Sequence, residues 1–141
     1  MIKLNNYIEE AWSGVKKQSI KQDIEAWCEE MGIKDYTINS KGEIDVDGSV
    51  NLRIRDFKEL PYKFGKVKSH FSLEYCENLI SLKNCPDKVG TWFGCSHNPK
   101  IDSLEGCPKE VGKNFYCGKC KRRFTSYEVK ELCKYKGAVF V

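Results

Sequence analysis

The chain has 141 residues, a formal net charge of +4, 40% hydrophobic residues and 31% charged residues. That length fits one domain with its own core, because a chain of about 150 residues buries roughly 68 to 70% of its unfolded surface. The balance excludes a disordered or low-complexity protein, and no apolar run approaches the ~18 residues of a membrane span.

The opening Met1-Ile2-Lys3-Leu4-Asn5-Asn6 lacks the apolar stretch of a secretory signal, so a cytoplasmic location with reduced thiols is expected. Leu4, Ile8, Ala11, Trp12 and Val15 then recur at helical spacing, and so do Ile20, Ile24, Trp27, Cys28 and Met31. Gly14 weakens the first of these segments. Ser19 fits an N-cap for the second, and Gly32 fits its stop. Two amphipathic helices with acid-leaning outer faces are therefore expected.

Tyr36-Thr37-Ile38 and Glu43-Ile44-Asp45-Val46 alternate around Asn39-Ser40-Lys41-Gly42, which predicts a β-hairpin. Asp47-Gly48 signals another turn, and Ser49-Val50-Asn51-Leu52-Arg53 follows as the first strand of what comes next.

From there the sequence repeats itself. Ser81-Leu82-Lys83-Asn84-Cys85-Pro86-Asp87-Lys88-Val89-Gly90 returns 22 residues later as Ser103-Leu104-Glu105-Gly106-Cys107-Pro108-Lys109-Glu110-Val111-Gly112. The register extends outward. Phe71, Phe93 and Phe115 form one column, Leu73, Cys95 and Cys117 the next, and Cys76, Asn98 and Cys120 a third. Leu79 and Ile101 follow, then Leu82 and Leu104, with Phe124 and Tyr127 expected to take those places in the last unit. An earlier, degenerate unit runs Val50, Leu52, Phe57, Leu60, Pro61 and Val67. A fixed period of about 22 residues marks stacked supersecondary units that share one core.

The run Cys76-Glu77-Asn78-Leu79-Ile80-Ser81-Leu82, closed by Pro86 and Val89-Gly90, resembles the repeats of bacterial and tailed-phage leucine-rich-repeat-like proteins. The resemblance covers about Val50 to Tyr127. It departs from the common pattern by one extra residue after the Asn/Cys slot. It implies a binding scaffold rather than an enzyme.

The expected fold is thus α+β: a short leucine-rich-repeat-like β-solenoid of three to four coils in a single domain. Residues 1–48 would form a cap of two helices and a hairpin, 49–125 the coils, and 126–141 a helical cap. Thr125-Ser126-Tyr127-Glu128 has capping-box spacing, so a terminal helix from Ser126 to about Tyr135 is predicted. Gly137-Ala138-Val139-Phe140-Val141 is either a closing strand or an apolar tail.

Alternation about the phenylalanine column turns Arg53, His70, Glu74, Trp92 and Tyr116 outward on neighbouring strands. Exposed Trp, Tyr and Arg are enriched at binding hot spots, which makes this face the candidate surface for a protein partner. The alternative is nucleic-acid binding by the basic C-terminal third, through Lys113, Lys119, Lys121, Arg122 and Arg123, with Phe115, Tyr116, Phe124 and Tyr127 available for stacking. Cys117-Gly118-Lys119-Cys120 has the spacing of half a zinc site, with Cys95, His97, Cys107 or Cys133 as further ligands, but a second C-x-x-C pair is missing. No cofactor is expected. His70 and His97 stand in no nucleophile motif, and no phosphate-binding glycine loop occurs, so no catalysis is expected.

Overall fold

In the computed structural model the backbone is described from residue 2 to residue 141, and side chains at residue 14 and from residue 18 onward. The chain divides into two compact units, Met1–Ile33 and Lys34–Val141.

The first unit is one helix, α1 (Ile2–Met31), of 30 residues. The two helices expected from the sequence are therefore continuous, and Ser19 lies inside the helix rather than capping a second one. The physical reason is small: an interior serine costs only about 0.5 kcal/mol in helix propensity, and neither Gly nor Pro stands between Val15 and Met31 to stop propagation. The apolar set Leu4, Ile8, Ala11, Trp12 and Val15 lies outside the described side chains. The C-terminus is as expected. Gly32 takes φ +71°, its amide donates to Glu29 O at 3.1 Å and the Ile33 amide donates to Cys28 O at 2.9 Å. This pair of bonds is the Schellman motif that glycine permits.

The second unit is a β-solenoid of about four coils. It opens with the expected hairpin, β1 (Tyr36–Ile38) antiparallel to β2 (Ile44–Val46). Asn39 organises the turn, its Oδ1 accepting the amides of Lys41 and Glu43 at 2.9 and 3.0 Å. Each coil then contributes a short strand to each of two sheets. The phenylalanine sheet consists of β3 (Val50–Asn51), β5 (Phe71–Ser72), β7 (Phe93–Gly94), β9 (Phe115–Tyr116) and β11 (Val139–Phe140), all paired in parallel. The valine sheet runs β1, β2, then β4 (Phe64–Val67), β6 (Lys88–Val89), β8 (Glu110–Val111) and β10 (Lys134–Tyr135), parallel beyond the hairpin. The hairpin thus continues the valine sheet.

The core is built from the repeat columns. Phe71, Phe93 and Phe115 pair in register and are fully buried, with ring centroids 6.2 and 5.1 Å apart along the stack. Val67, Val89 and Val111 face them from the valine sheet, and Phe64 meets Phe71 edge-on at 5.0 Å. Leu73, Leu79, Leu82, Ile101 and Leu104 fill the third side, where the chain has no regular strand. Leu104→Ala should therefore cost about 3 kcal/mol in urea melts, the usual penalty for a fully packed leucine.

One corner of the coil carries a ladder. Ile54, Tyr75, His97 and Lys119 recur there in the left-handed conformation, with φ between 58° and 61°. The next residue on the following three coils fills the Asn/Cys slot. Asn98 is buried and uses its whole amide: Oδ1 accepts the Cys76 amide at 2.7 Å, and Nδ2 donates to Leu73 O at 3.0 Å and Cys95 O at 2.9 Å. Cys76 and Cys120 repeat the donor half of this pattern, each thiol reaching the preceding coil, at Leu52 O and Cys95 O respectively, both at 3.3 Å.

The last coil differs from the expectation. Thr125 is the N-cap of α2 (Ser126–Leu132), its Oγ1 accepting the Glu128 amide at 3.1 Å. The helix stops at Leu132 instead of Tyr135, because Cys133 is extended and Lys134–Tyr135 pairs with β8. Phe124 is buried as its column requires, but Tyr127 is 70% exposed; Val129 is the buried residue of the helix. A helical turn rotates side chains by about 100° per residue, so the column cannot be carried on at strand spacing. Residues 137–141 resolve in favour of the strand: β11 adds to β9.

Candidate functional site

The outer surface of the phenylalanine sheet is covered by rings in two rows. In the first row the imidazole of His70 and the indole of Trp92 lie parallel, 4.5 Å between centroids and 3° between planes. Trp92 meets Tyr116 edge to face at 5.8 Å, and Tyr116 stacks on Phe140 at 4.8 Å. Parallel strands about 4.8 Å apart set this spacing. In the second row the Arg53 guanidinium sits 5.1 Å over the ring of Tyr75, which in turn stacks on His97 at 4.3 Å.

The indole lies across the sheet because position 94 is glycine. A Cβ there would stand 3.0 Å from both Trp92 Cζ3 and Glu74 Cδ, so the glycine leaves room for the ring and the carboxylate together. Glu74 also accepts the Ser72 hydroxyl at 3.3 Å. His70 Nδ1 is 3.0 Å from Ser49 Oγ, and partial burial holds its pKa below the usual histidine value of 6.5. His70 is thereby held toward its uncharged form.

All five residues expected on this face are on it. His70, Trp92 and Tyr116 touch one another, Glu74 lies beside Trp92, and Arg53 belongs to the second row. The sequence reading left out Tyr75, His97 and Phe140. Tyr75 is 42% and Phe140 49% exposed, and Ile54, in the same left-handed column as Tyr75, is 77% exposed. The signal for Tyr75 and His97 was the column Ile54, Tyr75, His97 and Lys119, which keeps the repeat spacing, whereas Phe140 stands in register with Tyr116.

The basic residues of the C-terminal third fall on the two sides of β9, with Lys119, Lys121, Arg122 and Arg123 exposed in the segment after it. Lys113 precedes β9 and Lys119 follows it, which places them at opposite ends of that strand. Lys121 and Arg122 pair with Asp102, at 4.0 and 3.7 Å. Arg122 also donates to both Glu128 oxygens, at 3.1 and 3.0 Å, and lies over the Phe124 ring. Arg123 is exposed. Phe115 and Phe124 are core residues with no face free for a base.

Cys117 and Cys120 stand in different columns. Cys117 faces the core, and burial foremost pushes its thiol up to about 12. Cys120 is half-buried in the ladder slot. Among the described residues, no group of three or more His, Cys, Asp or Glu side chains is arranged to hold a metal ion. Nor, among them, is any helix long and apolar enough to cross a membrane. No family model, curated protein or solved structure matches this chain.

Proposed function

We propose that this chain is a non-enzymatic protein-binding module of leucine-rich-repeat-like type, working through the outer face of the phenylalanine sheet. The observation that carries the reading is the pair of aromatic rows. A parallel sheet normally buries both faces, yet this one presents Tyr75, His97, Trp92, Tyr116 and Phe140 at its surface, with Ile54 alongside. Rings already stacked on one another lose little side-chain entropy on binding, which favours a partner that covers them. The outer row of the valine sheet is instead charged: Lys66, Lys88, Glu110 and Lys134 stand in register, with Lys88 and Glu110 paired at 3.7 Å. Such a face resists stable burial.

In this reading the ends of the solenoid are closed by the β1–β2 hairpin and by α2 with β11, since an open coil would expose its apolar end to water; the resemblance to phage-encoded repeat proteins points to the partner. The partner is a host or phage protein of the bacterial cytoplasm.

Quantitative affinity capture from a bacterial lysate tests it with two variants. Tyr75→Asn removes a ring while keeping a residue that tolerates the left-handed backbone. Trp92→Ala removes the centre of the first row, at about 1 to 2 kcal/mol of stability for a half-buried, stacked ring. Proteins captured by the wild type should be lost at least tenfold with both, and retained by Lys66→Ala on the valine sheet. Equal capture by all four chains contradicts the proposal. So does capture of DNA or RNA that falls steeply with salt, the signature of phosphate contacts.

A further inference from the structure

Seven of the eight cysteines lie in the solenoid, and the ladder slot brings two of them together across neighbouring coils. Ladder side chains reach back to the coil before, where the residue they meet is Leu52 for Cys76, Leu73 for Asn98 and Cys95 for Cys120. Only at the last of these junctions are both residues cysteines. The Cys120 thiol donates to Cys95 O at 3.3 Å, and the Cys95 thiol is the neighbour that acts most on its ionisation.

We propose that Cys95 and Cys120 form an oxidation site, in which a hydroperoxide oxidises Cys120 and Cys95 resolves it to a disulfide linking two coils. The Cys120 thiolate attacks the peroxide, the O–O bond breaks, and with uptake of one proton a sulfenic acid and water result. The Cys95 sulfur then attacks the sulfenic sulfur. An S–S bond forms, the S–O bond breaks, and the hydroxide leaves as a second water with the proton of Cys95. Two electrons pass from the sulfurs to the peroxide, and for hydrogen peroxide the sum is two thiols and one peroxide to one disulfide and two waters.

The assignment of roles follows from the surroundings. Cys120 sits in a turn between exposed Lys119 and Lys121 and is half-buried, so a small oxidant reaches it. The hydrogen bond from Cys95 holds the Cys120 thiol below its usual value of 9.0, against burial, which acts the other way. The same bond, ahead of burial, holds Cys95 well above that value. A thiol that ionises more readily beside one that ionises less readily is the arrangement of an attacking and a resolving cysteine. Every other solenoid thiol is raised by burial, including half-buried Cys107, at about 12. The C-x-x-C spacing points to Cys117 as the partner. The fold points elsewhere, because Cys117 belongs to the inward column and the hydrogen bond of Cys120 runs across the coils.

The test uses the full chain, reduced and then exposed to a small excess of hydrogen peroxide. Two of the eight thiols should be lost, the mass should fall by two hydrogens, and non-reducing peptide mapping should join the Cys95 peptide to that of Cys120. Cys117→Ser should give the same cross-link. Cys95→Ser should leave a Cys120 sulfenic acid that dimedone traps, and should that variant not fold, the wild-type map decides alone. A Cys117–Cys120 link, a stable sulfinic acid at Cys120, or eight intact thiols would each overturn the proposal.

Discussion

Between about pH 8 and pH 10 the protein should lose on the order of 5 kcal/mol of folding stability. Five thiols of the solenoid, Cys76, Cys85, Cys95, Cys117 and Cys133, are buried and have pKa values raised above the usual 9.0, in Cys133 to about 11 and in Cys117 to about 12. Burial in an apolar column is the leading cause in four of them; in Cys95 it follows the hydrogen bond with Cys120. These are acids whose folded value lies above the unfolded one. The folded state therefore holds more protons than the unfolded state above about pH 9, and stability falls as pH rises. One unit above the unfolded value a thiol that stays protonated in the fold costs on the order of 1 kcal/mol, so the four raised furthest, Cys85, Cys95, Cys117 and Cys133, together remove an amount near the lower end of the 5 to 15 kcal/mol of a typical domain. Urea melts with a phosphine reductant at about pH 8, 9 and 10 measure it. A midpoint that stays constant over that range would show that the thiols ionise freely and are not in the core.

Gly112→Ala should be nearly as damaging, at more than about 4 kcal/mol. A Cβ at Gly112 would stand 1.9 Å from Gly90 O, and one at Gly90 would stand 1.8 Å from Lys68 O. These atoms are backbone, pinned by the bonds that hold the coils at their spacing: Gly90 N–H to Val67 O and Gly112 N–H to Val89 O, both 2.9 Å. No side chain can turn aside to relieve the contact, so the coils must separate, and loss of this size is reserved for such cases. The repeated Val-Gly is thus a stacking requirement. Gly14→Ala is the control. An added Cβ there has nothing within 4 Å, and in a helix it should gain about 0.5 to 1 kcal/mol. Thermal or urea unfolding of the two variants should move in opposite directions.

Repetition made the coil legible, and loss of repetition hid the rest. Phe71, Phe93 and Phe115 could be aligned because each marks the same point of a coil, and their alignment gave the sheet, its inward face and the ladder slot. The valine sheet was harder to see. Its strands are mostly two residues long, such as Lys88–Val89, and two residues show no alternation to distinguish a strand from a turn. Phe64 escaped for a related reason: the degenerate first unit has no aligned partner for it in the later coils. At the two helices the reading failed where local propensity is weak. Ser19 can cap a helix but does not force one to start, and α2 replaced a strand-spaced column by a helical turn, which exposed Tyr127.

The candidate face was legible as far as alternation holds. Trp92 out, Phe93 in, Gly94 out and Cys95 in is the order found. Alternation ends at the left-handed residues, which turn Tyr75 and His97 outward a step after Glu74 and Ser96, and so all of the second row but Arg53 was missed. The basic run is a different case. Residues close in sequence, Lys113 through Arg123, are spread around one coil, whereas residues one coil apart become neighbours.

The account depends on strand register above all, since a slip of one residue would turn Trp92 into the core and Phe93 to solvent. Couplings transmitted through hydrogen bonds, measured by NMR on labelled protein, report it directly. The Cys95 amide should couple to the Tyr116 carbonyl and the Gly112 amide to the Val89 carbonyl, at donor–acceptor distances of 2.8 and 2.9 Å. Coupling of either amide to the carbonyl one residue before or after would contradict the register, and with it the aromatic face.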